Sequence, residues 1–186
     1  NSGLIVKDVV AQAVKIARKA AGGKLVALDV GPTGKLMKPH GDLSFEDAYR
    51  AFSEQIVAGE AAGADLILIE TMSDVYEAKA AILAAKENSK LPVICTMTFQ
   101  QDGRTLTGTD VLTMVNILQS LGLDALGVNC SLGPKEMMEL VEDLVRYSKV
   151  PVIVQPNAGL PKICRGETVY ETEPLEFSAY MKSMAQ

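Results

Sequence analysis

The 186-residue chain has no tryptophan, one histidine and only three cysteines, and each scarcity narrows what it can do. The cysteines are odd in number and scattered as Cys95, Cys130 and Cys164, a poor disulfide framework, so a reducing cytoplasm is the expected compartment. A basic excess is missing as well: 18 Lys and Arg face 23 Asp and Glu, for a formal net charge of −5. Nucleic-acid phosphates require a basic footprint, and no nucleic acid is expected among the partners. No apolar run approaches the ~20 residues of a membrane helix, which removes the membrane too. The opening residues carry no charged-then-apolar leader and start at Asn1 rather than Met, so a piece of a longer protein is expected.

What is present is ordinary for a globular protein, 48% hydrophobic and 22% charged, and long enough for one domain that buries roughly 70% of its unfolded surface. Five segments share one design, a short apolar run that ends in polar or small residues. They are Leu25–Gly34, Asp65–Thr71, Pro92–Phe99, Asp124–Ser131 and Pro151–Asn157. Near-continuous Val, Ile and Leu predict strands buried on both faces, hence a parallel sheet. Between them lie helical patterns. Val6, Val9, Val10, Ala13, Val14 and Ala17 follow helical spacing, with Gly22-Gly23 as a stop. Ser44, Ser73-Asp74, Thr109-Asp110 and Gly133-Pro134 mark four further starts, and Leu175 to Met184 reads as a sixth helix.

Strict alternation predicts an α/β fold with right-handed crossovers. The G-x-G-x-x-G of a Rossmann sheet is absent after the first strand. Every strand instead carries its polar residues at its C-terminal end, where a TIM-type barrel builds its site. The predicted fold is therefore a (β/α)8-type barrel, here an incomplete stretch of about five β/α units.

The strand ends offer Asp29, Glu70, Thr71, Thr96, Thr98, Asn129, Cys130, Ser131, Gln155 and Asn157. No lysine is among them, which argues against Schiff-base chemistry. His40, in a Pro-His-Gly loop, reads as a solvated residue rather than a ligand. Cys95 lies inside an apolar strand as a small buried hydrophobe, and Cys164 sits before Arg165-Gly166 in a polar loop. Cys130 differs, because it follows Asn129 at a strand terminus just before a helix start. Spacing alone leaves three readings open for it: inert, nucleophile or metal ligand. A nucleophile wants a histidine nearby, and a thiolate metal site wants further soft ligands that no C-x-x-C or Cys-Cys pair supplies here.

The segments VALDVGPTGKLMKPHGDLSFEDAYRAF, GADLILIETMSDVYEAKAAILAAKE, MTFQQDGRTLTGTD, DALGVNCSLGP and VPVIVQPNAGLPK resemble the homocysteine S-methyltransferase barrel, in the form found in cobalamin-dependent methionine synthases. The resemblance covers nearly the whole chain and implies that residues 1–186 are part of a single barrel domain, strands three to seven of eight. It implies zinc as cofactor, with Cys130 of the G-x-N-C motif as one of three thiolate ligands. Glu70 of the I-E-T motif is then the ligand of homocysteine's amino group. Ser131, with nearby backbone N–H groups, is a receiver for its carboxylate. Asn129, Asn157 and Asp29 are further substrate contacts. No residue is expected to act as a catalytic acid or base. The family's other two zinc cysteines are adjacent, in a G-G-C-C-G-T segment expected beyond Gln186, so the isolated chain is expected to be inactive. The methyl donor implied is methylcobalamin on another module, and the partners are homocysteine and the cobalamin- and folate-binding modules of the parent enzyme. Two rival readings stand beside this one: an inert structural fragment, and a pterin- or folate-binding barrel. Five strands also leave open sheet edges, from which self-association is expected.

Overall fold

In a computed structural model, which describes residues 5–170 and 172–186, helices and parallel strands alternate along the chain. The elements are α1 (Val6–Ala20), β1 (Ala27–Val30), α2 (Phe45–Ala61), β2 (Leu66–Met72), α3 (Val75–Asn88), β3 (Val93–Met97), α4 (Val111–Gln119), β4 (Ala125–Asn129), α5 (Pro134–Tyr147) and β5 (Val152–Gln155). A short antiparallel pair follows, β6 (Lys162–Cys164) and β7 (Glu167–Val169), and then α6 (Pro174–Met184).

The strands pair in sequence order, β1-β2-β3-β4-β5, all parallel. Each of the predicted helix starts is present. Ser44, Asp74 and Asp110 accept backbone N–H groups of the first turn, satisfying donors that a helix leaves orphaned, and Pro134 takes the first helical position of α5.

Alternation along the strands sorts side chains onto two faces. Leu28, Val30, Ile67, Ile69, Val93, Cys95, Met97, Leu126 and Val128 are buried, and with the helices they form the core. The prediction of burial on both faces holds for β4, whose five residues are all buried, and needs correction for β1, β2 and β5. On the opposite face Leu68, Ile94 and Ile153 are only half-buried, and Ala27 and Asp29 are exposed. In a closed barrel that face points inward; here its middle, at Thr96, Ala125 and Asn129, is buried, while its β1, β2 and β5 parts stay open. The loop predicted around Cys164 is corrected too, because Cys164 ends β6 of a hairpin. Its two-residue turn, Arg165-Gly166, has positive φ at both positions (53° and 85°), the backbone that a tight hairpin selects.

Candidate functional site

Asn129 ends β4, the strand paired with β3 on one side and β5 on the other, and it is almost fully buried. All four hydrogen-bonding capacities of its amide are used. Oδ1 accepts from the Thr71 N–H (2.9 Å) and the Thr96 hydroxyl (2.8 Å), while Nδ2 donates to Thr71 Oγ1 (2.7 Å) and to Cys130 Sγ (3.2 Å). Thr71 Oγ1 stands 3.9 Å from the same sulfur. One amide thus fixes the ends of β2, β3 and β4 around a single thiol.

The backbone there is strained. Among the described residues four non-glycine residues have φ in the left-handed region, and three of them meet at this place: Thr71 (61°), Cys130 (58°) and Ser131 (62°). For a β-branched threonine this is a genuine outlier, and such conformations persist only where the surroundings over-determine them. Here they do. Cys130 N–H donates to the Gln155 carbonyl, Leu132 N–H to that of Cys130, and Asn157 N–H to that of Leu132, so the Cys130–Leu132 turn is locked onto the end of β5.

Beside this cluster, on the half-open face, lie two carboxyls. Asp29 pairs in register with Leu68, and Glu70 is two residues further along β2. Burial pushes the Asp29 carboxyl above its ordinary range. Glu70 is also raised, by burial first and then by the charge of Asp29. A positive charge placed between the two acids would relieve both effects. Behind them Gln55 Nε2 donates to the Asp29 carbonyl (3.0 Å), and Glu77, buried in the first turn of α3, accepts from the Thr33 N–H (2.8 Å) and hydroxyl (2.6 Å). Gln55, Thr33 and Glu77 were not among the sequence candidates. Glu77 leaves one trace, a charge on the helix stripe otherwise made by Ala78, Ala80, Ala81 and Ala84.

The fold therefore gathers Asp29, Glu70, Asn129, Cys130 and Ser131 at the C-terminal strand ends, with Asn157 tied in through its backbone. His40 is exposed in the loop after β1. Cys95 is fully buried on the helix side, its thiol pushed up to about 12 by burial, and Cys164 is exposed in the hairpin. Neither joins Cys130. Structural and catalytic zinc sites use three or four protein ligands on one ion. Among the described residues no group of three His, Cys, Asp or Glu converges, so a complete zinc centre would need ligands besides Cys130.

Comparison with known proteins gives this arrangement a context. The profile of the homocysteine S-methyltransferase family matches residues 3–186. The methionine synthases of Mycobacterium tuberculosis (strain ATCC 25618 / H37Rv) and Mycobacterium leprae (strain TN) are 30% and 29% identical in a 185-position alignment that covers 93% of this chain and 15% of theirs. Among solved structures, the homocysteine methyltransferase MmuM from Escherichia coli in its apo form superposes with a TM-score of 0.74 at 26% identity, over 86% of this chain and 64% of that one. Its metallated form gives 0.70 at 25% identity, over 84% and 61%. The chain thus spans about one-seventh of the methionine synthases it matches and under two-thirds of the solved enzyme. With a family match over nearly its full length, and a solved homocysteine methyltransferase that superposes on most of it, this chain belongs to the homocysteine S-methyltransferase family.

Proposed function

We propose that residues 1–186 are the central part of a single zinc-dependent barrel domain that activates the thiol of homocysteine for methyl transfer, forming methionine. One observation carries this reading: a strained, hydrogen-bonded Cys130 stands at the same strand ends as the Asp29–Glu70 pair. Cys130 is one metal thiolate, and its two companions lie beyond the residues described. Zinc, when bound, supplies the positive charge that keeps a thiol ionised at neutral pH. The metallated form of the E. coli relative supports a metal in this family.

The chain's own residues bind and orient the amino acid. Glu70, backed by Asp29, receives the ammonium group through charge-assisted hydrogen bonds. Helix α5 has no side-chain cap, which leaves first-turn N–H groups beside Ser131 available to the substrate carboxylate. Asn129 holds the Cys130 sulfur, and Asn157 lines the same rim. The methyl donor is methylcobalamin carried on another module, and the cobalamin- and folate-binding modules of a longer cytoplasmic enzyme are the partners. The support for these modules is the likeness to methionine synthases far longer than this chain.

With one thiolate of three, the isolated chain is expected to retain no stoichiometric zinc and to be inactive. Metal content after purification under reducing conditions tests this: near-stoichiometric zinc that Cys130→Ser abolishes would show that the described residues suffice. In the complete enzyme the same substitution is expected to remove zinc, and zinc retained there would disprove the assignment of Cys130.

A further inference from the structure

β1 is one of the two outer strands of the sheet, paired among the described residues only with β2, and its ladder ends at Val30. A strand held on one side frays at its end, yet this end carries Asp29, whose distance from Glu70 sets the shape of the proposed ammonium site. Two side chains from the helical layer hold it. Gln55 of α2 grips the Asp29 carbonyl at 3.0 Å. Glu77 of α3 takes both donors of Thr33, four residues after Asp29, while Thr33 Oγ1 accepts from the Lys35 N–H (3.3 Å) and closes the loop on itself.

Glu77 is an expensive choice for a structural contact. It is 3% exposed, and among the described residues its carboxylate is paired with no lysine or arginine. An unpaired buried charge is strongly unfavourable, so its compensation comes from the two Thr33 donors and from the positive end of α3. Because α3 starts just after β2, which bears Glu70, the contact ties the element after Glu70 to the loop after Asp29. We propose that Glu77 and Thr33 form a clamp that sets the spacing of Asp29 and Glu70, making Glu77 a positioning residue for the amino-acid end of the substrate. This rests on the reading of Asp29 and Glu70 given above.

The clamp is tested at two levels. In this chain, Glu77→Gln and Thr33→Val are expected to speed amide exchange of residues 29–35 at least about tenfold, while the amides of β3 and β4 keep their protection and Thr33→Ser stays like the wild type. In the full-length enzyme loaded with zinc, each of the first two substitutions is expected to weaken L-homocysteine binding about tenfold. The double variant should be no worse than the weaker single one, because the two residues act as one contact. Thr33→Ser should restore the affinity, which a general loss of stability would not explain. Should Glu77→Gln fail to fold, Thr33→Val carries the test from its half-buried loop position. Unchanged exchange at 29–35, or faster exchange with homocysteine affinity within twofold of wild type, overturns the clamp. Glu70→Gln separates the two ideas: if it leaves affinity intact while Thr33→Val weakens it, the role given to Glu70 falls and the clamp is left acting through Asp29.

Discussion

Asp29 and Glu70 share the half-open face of the sheet, and burial makes ionisation unfavourable for both, with the Asp29 charge adding to the effect on Glu70. An acid whose folded pKa is raised stabilises the fold fully below its unfolded value, about 4.3 for glutamate, and loses that contribution as pH rises through the folded value. Above that range, ionisation of Glu70 costs the empty fold stability. Glu70→Gln is expected to raise the melting temperature at pH 7, and the gain should disappear below about pH 4, where wild-type Glu70 is protonated. In the complete enzyme the same change should cost homocysteine affinity about tenfold to a hundredfold, the worth of a hydrogen bond to a charged group. Melting curves at the two pH values and a homocysteine titration check both halves; a variant less stable at pH 7 with wild-type affinity contradicts the receptor role. The carboxyl positions were legible in the sequence because strand ends are where a parallel β/α layout exposes polar groups. Glu77 was not, since a lone glutamate in a first helical turn looks like ordinary favourable placement near the helix dipole, and only the fold reveals Thr33 beneath it.

At the scale of elements, β4 and β5 approach closely because position 127 has no side chain. A Cβ built on Gly127 would stand 1.8 Å from the Ile153 carbonyl oxygen and 2.7 Å from its carbon, both backbone atoms that cannot swing aside. Gly127→Ala must push β5 away from the strand that carries Asn129 and Cys130, at a cost of about 1–3 kcal/mol or more. Chemical denaturation measures it, and a variant as stable as wild type would mean that the sheet relaxes freely. A second device recurs at the opposite ends of the strands. Asp65, just before β2, accepts the Val26 N–H at 2.6 Å, and Asp124, just before β4, accepts the Val93 N–H at 2.8 Å. Arg18 joins Asp65 from α1. The Val26 N–H first, and Arg18 next, hold the Asp65 carboxyl below its ordinary range. Stability from a lowered acid is present above its unfolded value, about 3.9, and is lost as pH falls through the folded value. Asp65→Asn should thus melt below wild type at pH 7, with the difference shrinking as pH falls below about 3.9; an unchanged melt at pH 7 would leave the Asp65 tie without weight. Apolar runs and caps made the five strands and six helices legible in order. The β6–β7 hairpin was not, because Lys162–Val169 is short, exposed and weakly patterned, and Arg165 takes a φ that glycine or asparagine normally announces.

For the molecule as a whole, the decisive quantity is surface. The described fold exposes 10697 Å², whereas a compact monomer of its 19.8 kDa exposes about 8,600 Å² by the usual scaling. The excess of about 2,000 Å² exceeds the roughly 800 Å² that each partner contributes to a standard interface. Its source is visible in the sheet: the half-buried Leu68, Ile94 and Ile153, the exposed Ala27, and the outer edges of β1 and β5, which pair with no further strand among the described residues. On the helical side Ile5, Val9, Ile16 and Val57 are exposed in addition. In a closed barrel the inward face and both edges are satisfied by neighbouring strands. On its own the chain can cover them only with a second copy, by edge pairing or by exchange of β/α units. We expect concentration-dependent association of the isolated chain and binding of apolar dyes to whatever monomer remains. Sedimentation from low to high micromolar concentration tests this, with dye binding and thermal melts alongside. A monomer throughout, with a single sharp transition and no dye bound, would mean that the five units close their own face. Association that disappears when the missing strands are added as a separate chain would identify the open face and edges as its cause, because only complementary strands can satisfy both at once.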